Sequence, residues 1–257
     1  MIKVYYSKVF PFLEEDTFFS QLAKIPADRK EKILRMKNKE ARMRSLTAGM
    51  LLQYALCEKT GLDYETAEPF PIRYGEKGKP YPAREPSVHF NLSHSGDYAC
   101  CAIGDGPVGI DIQQKTEGKE RLERLAERFF TCSEKRMLSE CEKEQQRDLF
   151  FRMWSIKESY LKLTGEGLCG GLSSFEISWR EKKIIRKRIS QGGKENEPEV
   201  KALADRGTTH ARDITRSEKE TDAYFAETDQ VQGYSFCVCA WEPLVGVCWK
   251  NAVLALA

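Results

Sequence analysis

The sequence predicts a soluble, globular chain that mixes helices with short strands and hairpins. Three observations carry this. Its 257 residues are enough for a sizeable core in one large domain or two small ones. Hydrophobic residues make up 41% and charged residues 31%, which supplies both that core and a heavily charged surface. Apolar residues recur at helical spacing in some segments and in short β-rich runs in others.

Taken in order, Ile2 to Phe10 reads as a strand. Asp28, just after Pro26, can cap a helix that runs from Lys30 to about Lys59. Met43, Leu46, Met50 and Tyr54 form its buried face, and Gly61 stops it. Residues 63 to 86 are Pro- and Gly-rich and read as a loop. Val88 to Leu92, Tyr98 to Ile103 and Val108 to Ile112 read as strands, the last two joined as a hairpin across Gly104-Asp105-Gly106-Pro107. A helix over 119 to 130 turns Leu122, Leu125, Phe129 and Phe130 inward. Thr131-Cys132-Ser133-Glu134 is a capping-box pattern that opens the next helix. Gln145 to Leu163 is a long helix ended by Gly165 and Gly167. Phe175 to Trp179 and Lys183 to Ile189 read as a hairpin, and Tyr234 to Trp241 as an apolar strand. Between them, 16 of the 41 residues from 190 to 230 are charged and large apolar residues are sparse, which predicts a mobile or poorly packed insert.

Several classes are disfavoured. The 41 basic and 39 acidic residues nearly balance, which argues against a dedicated nucleic-acid binder. No apolar run reaches the ~18 residues of a membrane span. Met1 to Phe12 lacks the apolar segment of a signal peptide, so the expected location is cytoplasmic. Cys100-Cys101 and Cys237/Cys239 sit in apolar strands and read as buried free thiols. With only three histidines and no CxxC, a zinc site is not expected.

Four constellations can carry chemistry. In Val108-Gly109-Ile110-Asp111-Ile112-Gln113, strand alternation sets Asp111 and Gln113 on one face, two hard oxygen donors suited to magnesium. Alone, this is equally an ordinary half-exposed strand. In Trp154-Ser155-Ile156-Lys157-Glu158-Ser159-Tyr160-Leu161-Lys162, Trp154, Glu158 and Lys162 share a helix face. Alone, Glu158 and Lys162 are also a common surface pair. Phe90-Asn91-Leu92-Ser93-His94-Ser95-Gly96 can hold a phosphate, or be a turn with satisfied hydroxyls. From Lys24 to Arg44, nine basic residues stand against three acidic ones, either a solvated face or a site for phosphates or an acidic partner.

In this order and spacing, the segments resemble the 4′-phosphopantetheinyl transferases of the Sfp type. The GIDIE-like strand appears as Gly109-Ile110-Asp111-Ile112-Gln113, and the WSxKESxxK helix as residues 154 to 162. The FNxSHS motif falls on residues 90 to 95 and the GKP loop on Gly78-Lys79-Pro80. The resemblance covers roughly residues 1 to 180 and the strand near Cys237 to Pro243. It implies an α+β fold of two similar subdomains related by pseudo-two-fold symmetry, residues 1–104 and 105–257, with the active site in the cleft between them. It also implies transfer of the phosphopantetheine arm of coenzyme A to a serine of an apo acyl or peptidyl carrier protein. That reaction depends on magnesium and releases adenosine 3′,5′-bisphosphate.

Carried over residue by residue, Asp111, Glu158 and Lys162 would be catalytic, and Asp111, Gln113 and Glu158 would hold the metal. Ser93, His94, Gly78, Lys79, Arg29, Lys32, Arg44 and Ser45 would bind coenzyme A. The branch also implies a monomer. Gln113 departs from the family's glutamate, so one ligand charge is missing. A non-catalytic module binding coenzyme A or a carrier is the alternative reading, and the retention of Glu158 and Lys162 speaks against it.

Overall fold

The computed structural model describes all residues except 10–14, 76–77, 117, 168–170, 187–221 and 253–257. It is an α+β structure built on two sheets. The first sheet has the order β11-β1-β5-β4 and contains β1 (Ile2–Lys8), β4 (His89–Ser95), β5 (Tyr98–Gly104) and β11 (Val247–Asn251). The second has the order β6-β10-β9-β8-β7 and contains β6 (Val108–Gln114), β7 (Phe175–Ser178), β8 (Lys183–Arg186), β9 (Ala223–Thr228) and β10 (Tyr234–Ala240). A short pair, β2 (Ile72–Tyr74) and β3 (Pro80–Pro82), stands apart.

The apolar pattern stacks these parts in layers. Val4 and Tyr6 of β1 and Cys100 and Ala102 of β5 meet Val108, Ile110 and Ile112 of β6 and Phe236 and Val238 of β10, so the sheets bury their inner faces against each other. The outer face of the first sheet, including Tyr5, Phe90, Cys101 and Ile103, is covered by α3 (Lys39–Thr60) through Ala48, Leu51, Leu52 and Leu56. Helix α6 (Lys143–Thr164) covers the second sheet, setting Ile156, Tyr160 and Leu163 against Phe175, Phe225, Cys237 and Cys239. Both helices are 22 residues long and end at a left-handed glycine, Gly61 and Gly165. Helices α1 (Glu15–Ala23) and α2 (Ala27–Leu34) pack beside the start of α3 through Phe18, Leu22, Ile33 and Met43. Helices α4 (Lys119–Phe129) and α5 (Cys132–Glu140) flank α6, and the expected capping box of Thr131 and Glu134 opens α5.

Several expectations are corrected. The helix from Lys30 to Lys59 is two helices. Asn38 accepts a hydrogen bond from the Ala41 amide and starts α3 afresh, while α2 is preceded by Pro26 rather than capped by Asp28. Strands β5 and β6 are not a hairpin. Gly104 to Val108 carries the chain from the first sheet to the second, where β5 pairs with β1 and β4 and β6 pairs with β10. The strand face of Asp111 is not outward, because α6 covers it and Asp111 is 1% exposed.

The expected insert at 190 to 230 lies outside the described residues up to 221. Its last part contains β9, a central strand whose Ala223 and Phe225 are buried. The average charge of the segment masked that short apolar run. Strand β11 returns to the first sheet and pairs parallel with β1, so residues 105–257 do not form one unbroken subdomain. Cys100, Cys101, Cys237 and Cys239 are buried free thiols. Among the described residues, no helix is long and apolar enough to cross a membrane.

Candidate active site

The site forms where β4, β6 and α6 meet. Gly109 sets the spacing. A β-carbon there would lie 2.0 Å from the Ser159 carbonyl oxygen and 2.5 Å from the Leu163 nitrogen, so only glycine lets β6 approach the α6 backbone this closely. Two residues on, the same strand face presents Asp111 to α6.

Asp111 Oδ1 accepts from Lys162 Nζ at 2.6 Å and from Ser93 Oγ at 2.9 Å, and Oδ2 accepts from Gln113 Nε2 at 2.8 Å. Three of the roughly four lone-pair sites of the carboxylate are therefore filled, with one left on Oδ2. Lys162 Nζ also donates to Ser93 Oγ at 2.8 Å, which leaves one of its three protons for an incoming oxyanion. Glu158 stands one turn before Lys162 and is half-buried. Desolvation, and then the charge of Asp111, push its carboxyl above the usual glutamate range, while Lys162 pulls the other way.

A cationic region adjoins this group. His94 follows Ser93 but points to the opposite face of β4, the one whose apolar members pack on α3. The residue is exposed overall, yet its surroundings desolvate the ring. That effect, with the charges of Lys162, Arg44 and Arg29, drives its imidazole below the ordinary histidine value. Arg29 comes from α2 and donates through Nη2 to the carbonyl of buried Ser45 on α3, 3.1 Å away. Its Nε is buried without a hydrogen-bond partner, and burial lowers the pKa of the guanidinium. Among the described residues Arg29 has no carboxylate partner within ion-pair distance, and Arg44 has only Glu40, at 3.6 Å. A cationic surface short of anions suits a polyanionic ligand.

Some of the expected residues sit elsewhere. Lys79 donates to the Lys162 and Leu163 carbonyls at 2.8 and 2.9 Å, holding the C-terminal end of α6 where a cation complements the helix dipole. Gly78, at φ +77°, turns the chain into it. Lys32 is exposed on α2 and makes no hydrogen bond or ion pair among the described residues. Trp154 packs against Phe150 and Phe129, so its indole covers the core of the second half.

Sequence reasoning passed over Lys157, which is fully buried. It pairs with Glu134 of α5 at 2.9 Å and donates to the carbonyls of Leu172 and Phe175, tying α6 to its neighbours. Sequence reasoning quoted Asn91 and Ser95 within their motif without giving either a role of its own. With Ser93 between them, they accept from alternate β6 amides: Ile110 at 3.0 Å, Ile112 at 3.3 Å and Gln114 at 3.0 Å. The period-two run of small polar residues at 91, 93 and 95 was the available signal.

The oxygen donors fit a divalent cation of the magnesium type. Among the described residues no three His, Cys, Asp or Glu side chains cluster as a metal site. The set here is two carboxylates, Asp111 and Glu158, with the Gln113 amide oxygen beside them. Magnesium is commonly held by one or two carboxylates, with substrate phosphates and water completing the shell. Burial and then the charge of Asp111 disfavour the ionised form of Glu158, and such a cation would favour it.

Known proteins share this arrangement of segments. A family model described as the 4′-phosphopantetheinyl transferase superfamily matches residues 107–230, and one described as 4′-phosphopantetheinyl transferase, N-terminal, matches 13–104. A 4′-phosphopantetheinyl transferase of Bacillus subtilis is 37% identical over 191 residues, 74% of this chain and 80% of the relative. The 4′-phosphopantetheinyl transferase Sfp of Bacillus subtilis strain 168 is 30% identical over 221 residues, 85% of this chain and 83% of its own. The transferase gsp of Aneurinibacillus migulanus is 30% identical over 185 residues, 72% of this chain and 75% of its own. Matched in both of its halves and aligned with relatives over most of their length, the chain belongs to the 4′-phosphopantetheinyl transferase superfamily and is an enzyme of that class.

Proposed function

We propose that the protein transfers the 4′-phosphopantetheine arm of coenzyme A to a serine of an apo acyl or peptidyl carrier protein, with magnesium as cofactor, releasing adenosine 3′,5′-bisphosphate. The observation that carries this reading is the adjacency of two unlike regions. A pair of carboxylates with a lysine borders a cluster of Arg29, Arg44 and His94, as a substrate with a pyrophosphate at one end and a further phosphate at the other requires.

In this reading, Arg29, Arg44 and His94 hold the nucleotide phosphates. Arg29 is already anchored at Ser45, so little side-chain freedom is lost on binding. Lys32 and Lys79 join the binding surface only if ligand binding redirects them. When bound, magnesium supplies Lewis-acid neutralisation of the pyrophosphate. Glu158 takes the proton of the carrier serine, standing one helical turn from Lys162 and close enough to Asp111 to feel its charge. Lys162 presents its remaining proton to the leaving phosphate oxygen, and Asp111 keeps the ammonium aimed there.

The test is mass spectrometry of an apo carrier protein incubated with this protein, coenzyme A and magnesium. A gain of one phosphopantetheine on the carrier serine is expected. An unmodified carrier, across acyl and peptidyl types, overturns the reading.

A further inference from the structure

We propose that Ser93 is a positioning residue for the Asp111–Lys162 pair and not a ligand of the substrate phosphates. The proposal rests on the transferase reading above and concerns how its site is held.

The alternation of β4 divides its motif in two. Phe90, Leu92 and His94 share the face that packs on α3, and at the end of that face His94 meets the charges of Arg29 and Arg44. Asn91, Ser93 and Ser95 share the other face, turned towards β6. There the edge of the second sheet finds no backbone partner on β4. Its amides at Ile110, Ile112 and Gln114 donate instead to the three β4 side chains.

Ser93 is the middle rung, and it alone reaches the reacting groups. A hydroxyl has one proton and two lone pairs. The proton of Ser93 goes to Asp111 Oδ1, and its oxygen accepts from Lys162 Nζ and from the Ile112 amide. Nothing remains with which to donate to a phosphate. Turning the hydroxyl towards one would strip Asp111 of a donor and leave a buried amide unsatisfied. At 7% exposure, water cannot easily replace either bond. The same oxygen thus sits between a carboxylate and an ammonium 2.6 Å apart and ties both to the backbone of β6.

Ser95 supplies the comparison, because it also caps a β6 amide but, among the described residues, makes no hydrogen bond to Asp111 or Lys162. Steady-state transfer kinetics and calorimetric binding of adenosine 3′,5′-bisphosphate would be measured for the full-length protein and for Ser93→Ala, Ser93→Thr and Ser95→Ala. Ser93→Ala should lose roughly 10–100-fold in kcat, the scale set by small misplacement of reacting groups. Its KM for coenzyme A and its affinity for the bisphosphate should stay within about threefold. Ser93→Thr keeps the hydroxyl and should recover most of kcat. Ser95→Ala should lower the melting temperature about as much as Ser93→Ala but keep kcat. If Ser93→Ala does not fold, Ser93→Cys fills the same space with a weak donor, and the same split is expected.

A tenfold or greater loss of nucleotide affinity with kcat intact makes Ser93 a phosphate ligand and overturns the proposal. An equal loss of kcat in Ser95→Ala overturns it too, since both serines are then merely structural. Absence of transfer by the unaltered protein refutes the transferase reading itself, and the assignment of Ser93 falls with it.

Discussion

Replacing Gly109 by alanine tests the geometry of the site with a single methyl group. The new β-carbon would lie 2.0 Å from the Ser159 carbonyl oxygen, whereas ordinary contact begins at 3.4 Å. Its neighbours are backbone atoms of a helix held by Phe150, Ile156, Tyr160 and Lys157, so no flexible side chain can give way. Strand and helix must therefore separate by about 1.4 Å. Overpacking of this kind costs about 1–3 kcal/mol or more. In a chain of this size each kcal/mol lowers the melting temperature by roughly 2–4 °C. The displacement also falls on the contact between Asp111 and Lys162, 2.6 Å apart, and takes it beyond hydrogen-bond reach. A misplacement near 1 Å can cost about 10²-fold in rate. Gly109→Ala should thus melt several degrees lower by calorimetry and transfer roughly 10²-fold more slowly to an apo carrier, with its fold retained by circular dichroism. A variant with unchanged melting and full transfer would show that α6 does not rest on β6 at this point, and the derivation of the site from that contact would fail.

Three other perturbations probe the charges. Gln113→Glu adds a carboxylate beside Asp111 and should lower the half-saturating magnesium concentration; overlapping titration curves for variant and parent would remove residue 113 from the metal shell. In the metal-free protein the Glu158 carboxyl, followed by NMR titration, should titrate above the ordinary glutamate value of about 4.3 and fall when magnesium is added; a metal-free value at or below about 4.3 would refute its desolvation beside Asp111. The sign for stability follows from the same shift: ionising Glu158 costs stability as pH rises through its folded pKa. Metal-free Glu158→Gln should therefore melt higher than the parent at neutral pH, with no such gain well below pH 4. Lys157→Ala leaves Glu134 buried and uncompensated, so denaturant unfolding should show a loss of about 3–5 kcal/mol, while Lys157→Met with Glu134→Gln should restore part of it.

The motifs around Asp111, Glu158 and Lys162 were legible by their resemblance to a family, whereas periodicity alone left an ordinary half-exposed strand and a surface pair open. Periodicity fixes which side chains share a face, and each of those faces is local. Which elements those faces meet is not local. The hairpin expected across Gly104–Pro107 failed because β5 finds its partners in β1 and β4, a choice made by long-range burial. Asp111 looked outward because period two distinguishes faces but does not say whether a helix lies over the polar one. Spacing puts Trp154 on a helix face with Glu158 and Lys162, and only packing against Phe129 and Phe150 assigns it to the core. Lys157 was passed over because a lysine mid-helix ordinarily points to water; its burial depends on Glu134 and two carbonyls from other segments. Strand β9 was hidden by its charged surroundings, where averaging diluted four residues, Ala223-Tyr224-Phe225-Ala226.

The parallel pairing of β1 with β11 bears on how the chain is made. Ile2 lies opposite Val247 and Tyr6 opposite Asn251, so β1 waits for a partner strand that is made far downstream of it. Contacts this far apart in sequence form late, since the connecting chain must be closed before they yield any stabilisation. Until then β1 has β5 on one side and an open edge on the other, with Val4 and Tyr6 awaiting the second sheet. Exposed strand edges on nascent chains invite pairing with other chains. A stalled or truncated product ending before Val247 would keep most of the transferase machinery yet carry that edge uncovered, making aggregation during synthesis, rather than weakened chemistry, its main defect.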